Sequence, residues 1–226
     1  MEITGFPGRE GWKAGFTTRR AGGELDAVLP LLGWEGIPVL RPHQRHGNRV
    51  VAVESATAPP EADGLATSHR GLVIAVASAD CVPLILFDST RGAGAVLHAG
   101  WRGTRSRIAS AGVALLARSF GSRPEALIGL LGPSIGPCCY RVGDDVLREF
   151  LSAGYTESLF RRDADGFLLD LAEANRADLI AAGVPPTHIR LTGLCTQCLP
   201  GLFPSYRRDG ARVGRILTFL GSSPEP

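Results

Sequence analysis

Apolar residues follow two rhythms along this chain. In the first half they form short β-rich runs at 49–53, 72–77, 82–87 and 94–98, each of strand length. Asp88-Ser89-Thr90-Arg91-Gly92 joins the last two with residues that favour chain reversal, which predicts a hairpin. The period then changes: Ile108, Ala111, Leu115, Leu116 and Phe120 fall on one face of a helix that Thr104 or Ser106 is placed to cap. A strand is expected at 127–131, a second helix from Asp144 through Leu151, and a third over 168–182, stopped by Gly183 with Pro185 beyond it. Runs at 189–194 and 215–220 read as closing strands. Hairpins in one part and single helices between strands in another predict an α+β fold with mixed sheets, not a purely parallel doubly wound one.

Composition narrows the class. With 44% hydrophobic residues among 226, the chain can bury a sizeable core; it shows neither an internal repeat nor a linker, so one domain over 1–226 is expected. The net charge is +2 and the basic residues are dispersed Arg, with Lys13 the only lysine, which argues against a nucleic-acid surface. Residues 1–8 lack the basic start and apolar core of a signal peptide, and no apolar run is long enough to span a bilayer. Five cysteines, two of them vicinal and two in a Cys-x-x-Cys, do not form a secreted disulfide framework. A cytoplasmic protein is expected.

Three blocks carry chemistry: Gln44-Arg45-His46-Gly47-Asn48, Ser78-Ala79-Asp80-Cys81 and Leu97-His98-Ala99-Gly100-Trp101-Arg102-Gly103. Two imidazoles and a thiolate bind zinc on three sides and leave a fourth position open, as catalytic zinc sites do. The bland alternative is a Cys-His hydrogen bond with no metal. His69 and His188 read as surface or hydrogen-bonding histidines. A second reading makes Cys81 a nucleophile activated by histidine. Asp80 either orients a histidine or caps a turn, and Pro83 suggests a sheet edge or bulge. Gly100, Arg102 and Gly103 lie where a strand gives way to a helix and can hold an anion, the alternative being a tight turn with Trp101 in the core. Arg19 is a comparable anion candidate and Gln44 joins the substrate-binding set, whereas Arg20 reads as solvated. Cys138, Cys139, Cys195 and Cys198 could form a four-thiolate zinc site, but vicinal cysteines seldom share one ion, so packing thiols with one reversible disulfide are the default. The 206–210 segment is polar enough to touch substrate, although a hairpin turn explains Asp209-Gly210 equally well.

Together with Ala62-Asp63-Gly64-Leu65-Ala66-Thr67, the run from Gly132 to Tyr140, Cys195-Thr196-Gln197-Cys198 and Ser205-Tyr206-Arg207-Arg208-Asp209-Gly210, these blocks resemble the YfiH-type laccase-domain family from about Phe16 to Phe219. The resemblance implies two mixed sheets between helical layers and a metal set of His46, Cys81 and His98; Asp80, from its place beside Cys81, is counted with these three as a catalytic candidate. The resemblance also implies phosphorolysis of purine nucleosides, with adenosine deamination as a second activity. One departure stands out: after Thr18-Arg19-Arg20-Ala21-Gly22-Gly23 the stretch 24–40 is abbreviated, so that segment's substrate contacts do not carry over. Five histidines and one methionine are too few for the blue-copper centre and three-copper cluster of a conventional laccase. The expected protein is therefore a zinc enzyme acting on nucleoside and phosphate, a monomer or small homo-oligomer, with copper as the alternative metal. Competing readings are a Cys-His hydrolase or amidase acting on a cell-wall precursor, a copper-dependent phenol oxidoreductase, and a metal-binding module without turnover.

Overall fold

The computed structural model describes residues 2–5, 11–56 and 58–224, so Met1 and residues 6–8 of the N-terminal stretch that lacks leader features lie outside the described residues. The chain opens with β1 (Glu2–Gly5), β2 (Trp12–Phe16), β3 (Val39–Leu40), β4 (Val50–Ala52) and β5 (Gly64–Thr67). The long strands follow: β6 (Val73–Ser78), β7 (Val82–Asp88) and β8 (Ala93–Ala99). Next come α1 (Trp101–Arg105), α2 (Ile108–Phe120), β9 (Leu127–Leu131), β10 (Arg141–Val142) and α3 (Asp144–Ser152). The chain closes with β11 (Phe160–Asp163), β12 (Gly166–Leu169), α4 (Leu171–Ala181), β13 (Ile189–Leu191), α5 (Tyr206–Asp209) and β14 (Ile216–Ser222).

Two mixed sheets stack face to face, in the orders β1-β2-β14-β6-β3 and β13-β9-β7-β8-β5-β4, as the α+β expectation requires. Strands β7 and β8 are buried on both faces, which is why their sequences are near-continuous apolar runs. Their side chains alternate: Leu84, Leu86, Ala95 and Leu97 pack under α2 and α4, while Ile85, Phe87 and Val96 meet Trp12, Ile74 and Leu220 of the other sheet. The hairpin between them forms as expected, with Asp88 accepting hydrogen bonds from Thr90 N and Thr90 Oγ1 at 2.8 and 2.6 Å.

Several local expectations change. Neither Thr104 nor Ser106 caps α2: Thr104 Oγ1 accepts from Asn175 Nδ2 at 2.9 Å, and Ser106 closes α1. The break between the two helices is Arg107, at φ 63°, whose guanidinium pairs with the buried carboxylate of Asp178 and donates to Ala153 O at 2.7 Å. Leu168 and Leu169 belong to β12, and α4 begins after Asp170, whose side chain accepts from Glu173 N at 2.9 Å. Pro83 lies inside the central strand β7, not at an edge. Its carbonyl accepts from Gly132 N at 2.9 Å, just beyond the end of β9, so the position without an N–H falls where that ladder ends. A small third sheet, β10-β12-β11, went unforeseen.

Among the described residues, the layer covering the five-stranded sheet is built from single 3₁₀ turns. Leu25, Val28, Leu29, Leu32 and Trp34 of this abbreviated stretch pack on Val73, Ala75, Leu217 and Phe219.

Candidate metal centre and pocket

The two sheets are joined at one end by the short crossing 79–81, between β6 and β7, and the chemistry gathers there. Cys81 stands at the entrance to β7, and antiparallel pairing sets His98 of β8 opposite Pro83, two residues further on. His46 enters from the loop between β3 and β4 with φ 60°, and Asp80 sits at φ 87°; two non-glycine residues in left-handed backbone mark a locally strained site. The ligand atoms of His46, Cys81 and His98 all lie within 4.8 Å of one another. The two imidazoles meet edge to face with centroids 4.8 Å apart.

Asp63 organises this group and was missed as a site residue, although it lay within the Ala62-Asp63-Gly64 block. One carboxylate oxygen takes the Nδ1 side of His98 at 2.9 Å and His46 N at 2.8 Å, and the other accepts from Gly47 N at 2.7 Å and Arg45 N at 3.1 Å. A carboxylate that fixes one ring nitrogen leaves the other free to ligate, the usual support of a metal-binding histidine. Burial pushes the Asp63 pKa up, but these hydrogen bonds outweigh it and hold the group below its ordinary value. Burial likewise disfavours the His98 cation, yet Asp63 and Cys81 raise its pKa to about 9. The thiol of Cys81 is pushed up by burial and pulled down more strongly by His46 and His98, to about 6. The donor set fits a zinc-type ion: two nitrogens and one sulfur converge, and Gly100 keeps the space clear. A Cβ on Gly100 would lie 3.1 Å from Cys81 Sγ and 3.3 Å from His46 Cδ2.

Beside this group opens a cavity of about 590 Å³, lined also by Trp101, Arg102, Tyr140, Tyr206, Arg207 and Arg215. That size suits a small-molecule ligand. The guanidinium of Arg102 lies over the Trp101 ring at 4.4 Å, and Trp101 both walls the cavity and packs against the core beneath α2. Arg207 belongs to α5, a helical turn capped by Ser205 in place of the hairpin turn considered for Asp209-Gly210. Arg215, which the sequence suggested only as a strand start, faces the same space just before β14.

Three expected contacts are reassigned. Asp80 orients no histidine; it accepts from Thr196 Oγ1 at 2.6 Å and Arg207 N at 2.7 Å, and its carbonyl accepts from Ile135 N at 2.9 Å, so it pins three loops around the cavity. Gln44 lines the cavity, but its amide is committed to the Ala77 backbone through two bonds of 2.8 Å. Arg19 lies outside the cavity lining, paired with Asp209 at 2.5 Å and donating to Phe203 O at 3.2 Å, and so braces the segment that carries α5. His69 is exposed and His188 bonds toward Leu127 O at 3.2 Å, as expected of histidines outside the site.

Residues 26–223 match the family model described as multi-copper polyphenol oxidoreductase laccase. The chain belongs to the laccase-domain, YfiH-type family. Among relatives of this laccase-domain protein, purine nucleoside phosphorylase YlmD of Geobacillus stearothermophilus is 42% identical over 177 residues, 77% of this chain but 65% of that protein's length. A protein named adenosine deaminase, from an unknown prokaryotic organism, is 40% identical over 86% of this chain and 80% of its own length. The crystal structure of the Geobacillus YlmD superposes with a TM-score of 0.88 at 33% identity, covering 97% of this laccase-domain chain and 94% of that one. Among the described residues no helix is long and apolar enough to cross a membrane.

Proposed function

We propose that the cavity phosphorolyses purine nucleosides and, as a second activity, hydrolyses the exocyclic amine of adenosine. One observation carries this reading: the cavity is lined both by an N₂S donor set and by three arginines, Arg102, Arg207 and Arg215. Phosphate is recognised by charge-assisted hydrogen bonds from such groups, and a purine is recognised by stacking on rings such as Trp101 or Tyr206. The names of the relatives support the same substrate class.

His46, Cys81 and His98 would hold the metal, with Asp63 orienting His98. When bound, zinc supplies Lewis-acid chemistry, which suits activation of water for deamination and polarisation of a purine heteroatom; neither role needs the redox change that copper offers. Burial raises the Tyr140 pKa above its ordinary value, so its phenol stays protonated and can donate to substrate. The arginines hold the attacking phosphate against the ribose, and positioning of this kind removes much of the barrier to a bimolecular displacement. Five free thiols support a reducing, cytoplasmic setting.

The test is product analysis with inosine, with and without phosphate. Hypoxanthine together with ribose 1-phosphate is expected only when phosphate is present; equal hypoxanthine release without it would mean a hydrolase and remove the role given to the arginines. A second reading rests on the lowered pKa of Cys81, which suits a nucleophile as well as a ligand. Under the metal reading Cys81→Asp keeps some zinc and some turnover, and no substrate-derived adduct accumulates on Cys81. A trapped thioester or thioether there would favour the Cys-His hydrolase.

A further inference from the structure

Away from the triad, the loop after β9 and the loop after β13 are zipped together by backbone. Ser134 N donates to Leu194 O at 3.2 Å and Thr196 N to Ser134 O at 3.0 Å. Just beyond this zip the Sγ atoms of Cys138, Cys139, Cys195 and Cys198 all lie within 4.8 Å of one another. Cys198 Sγ is 3.6 Å from Cys138 Sγ and 3.4 Å from Cys139 Sγ. All four are free thiols. A tetrahedral zinc with bonds of about 2.3 Å holds its sulfurs about 3.8 Å apart, close to these spacings, whereas a disulfide needs about 2.05 Å.

The objection that neighbouring cysteines seldom share an ion is met by the local backbone. Gly136 O accepts from both Cys139 N and Tyr140 N at 2.9 Å, a tight turn that swings two successive thiols toward one point. Gly136 N in turn donates to Cys195 Sγ at 3.3 Å, the kind of outer hydrogen bond that steadies a ligating thiolate. A Cβ at position 136 would crowd the cluster, lying 3.3 Å from Cys138 Sγ and 3.4 Å from Cys195 Cβ. Cys138 and Cys198 are exposed, so an ion can enter from solvent.

We infer that Cys138, Cys139, Cys195 and Cys198 form a second, closed zinc site that staples the loop bearing Ile135 and Tyr140 to the loop bearing Thr196. With four protein ligands the ion has no open position, so its role is structural. It exchanges the thiol protons for metal and changes no oxidation state. Both stapled loops reach the cavity: Ile135 and Tyr140 line it, and Thr196 holds Asp80.

Metal analysis of the full chain, purified under reducing conditions, tests this. Two zinc ions per chain are expected, falling to one in Cys198→Ser and in Cys138→Ser, and to one in His98→Ala. Cobalt loaded into His98→Ala should show the intense sulfur-to-metal absorption of four thiolates, and cobalt in Cys198→Ser the weaker band of one. If the triad binds no metal, the wild type carries a single zinc that survives His98→Ala and is lost in Cys198→Ser, which separates failure of the triad from failure of this site. The inference is overturned by unchanged zinc content in both cysteine variants, by a wild-type zinc that disappears entirely in His98→Ala, by iron in place of zinc, or by a mass that reveals a disulfide among the four.

Discussion

Asp63 turns two separate histidines into a pair. It holds the His98 ring and the backbone on either side of His46, so its removal should act on metal binding before it acts on the fold. Asp63→Asn is expected to weaken zinc binding roughly 10- to 100-fold, read by competition with a chelating dye, while circular dichroism stays unchanged. Unaltered affinity would remove Asp63 from the support of the site. Arg102 makes the complementary case on the anion side: stacked on Trp101 and exposed to the cavity, it should contribute one charge-assisted bond to phosphate. Arg102→Ala is expected to raise the phosphate KM about tenfold or more and leave the inosine KM nearly unchanged. At this scale the sequence was legible where the chemistry resides in residue type, as with His46, Cys81 and His98. It was not legible where the role depends on what folds alongside. Asp80, next to Cys81 in the chain, serves Thr196 and Arg207, while Asp63, 18 residues from Cys81, serves the histidine.

Among the elements, the joint between α1 and α2 is held by polar packing around a buried carboxylate. Arg107 pairs with Asp178, which is 0% exposed and also accepts from Tyr155 OH at 2.6 Å, and the guanidinium lies 3.7 Å from the Tyr155 ring centroid. Removing one partner strands a buried charge, so Arg107→Ala should cost about 3 kcal/mol in urea unfolding. Adding Asp178→Asn to it should cost less than the two single losses combined. Burial already raises the Asp178 pKa in the folded protein, and losing the arginine raises it further. A raised carboxylate favours folding when protonated and loses that benefit as pH rises through the folded value. The deficit of Arg107→Ala should therefore shrink as pH falls from 7 toward the ordinary carboxylate range near 4. A deficit that grows on acidification would contradict the assignment. The elements read correctly from the sequence were those with one dominant signal: β4, β6, β7, β8, β9, α2, α3, β13 and β14. Those misread had mixed signals. Leu168 and Leu169 extend the apolar pattern of α4 but pair in a sheet, and β10 to β12 are two to four residues long, with Arg161, Arg162 and Asp163 among them.

At the scale of the whole molecule, the triad draws on both sheets: His46 follows β3, Cys81 ends the crossing, and His98 lies in β8. An ion bound there ties the two sheets together at one end, and its stabilisation should register on global unfolding. Zinc at about 100 times its Kd should add about 2.7 kcal/mol, seen as a higher Tm that a chelator reverses. No shift with zinc would mean that the ion binds folded and unfolded chain alike. The cover over the five-stranded sheet is built differently. Leu25–Ile37 covers the five-stranded sheet with isolated turns, Leu31 is 71% exposed at its surface, and Trp34 is wedged edge-on against Phe219 at 6.3 Å. A cover held by a handful of apolar anchors can lift without unzipping any strand, so amide exchange and limited proteolysis should begin there. The indole of Trp34 would report that first opening by its fluorescence before any strand separates.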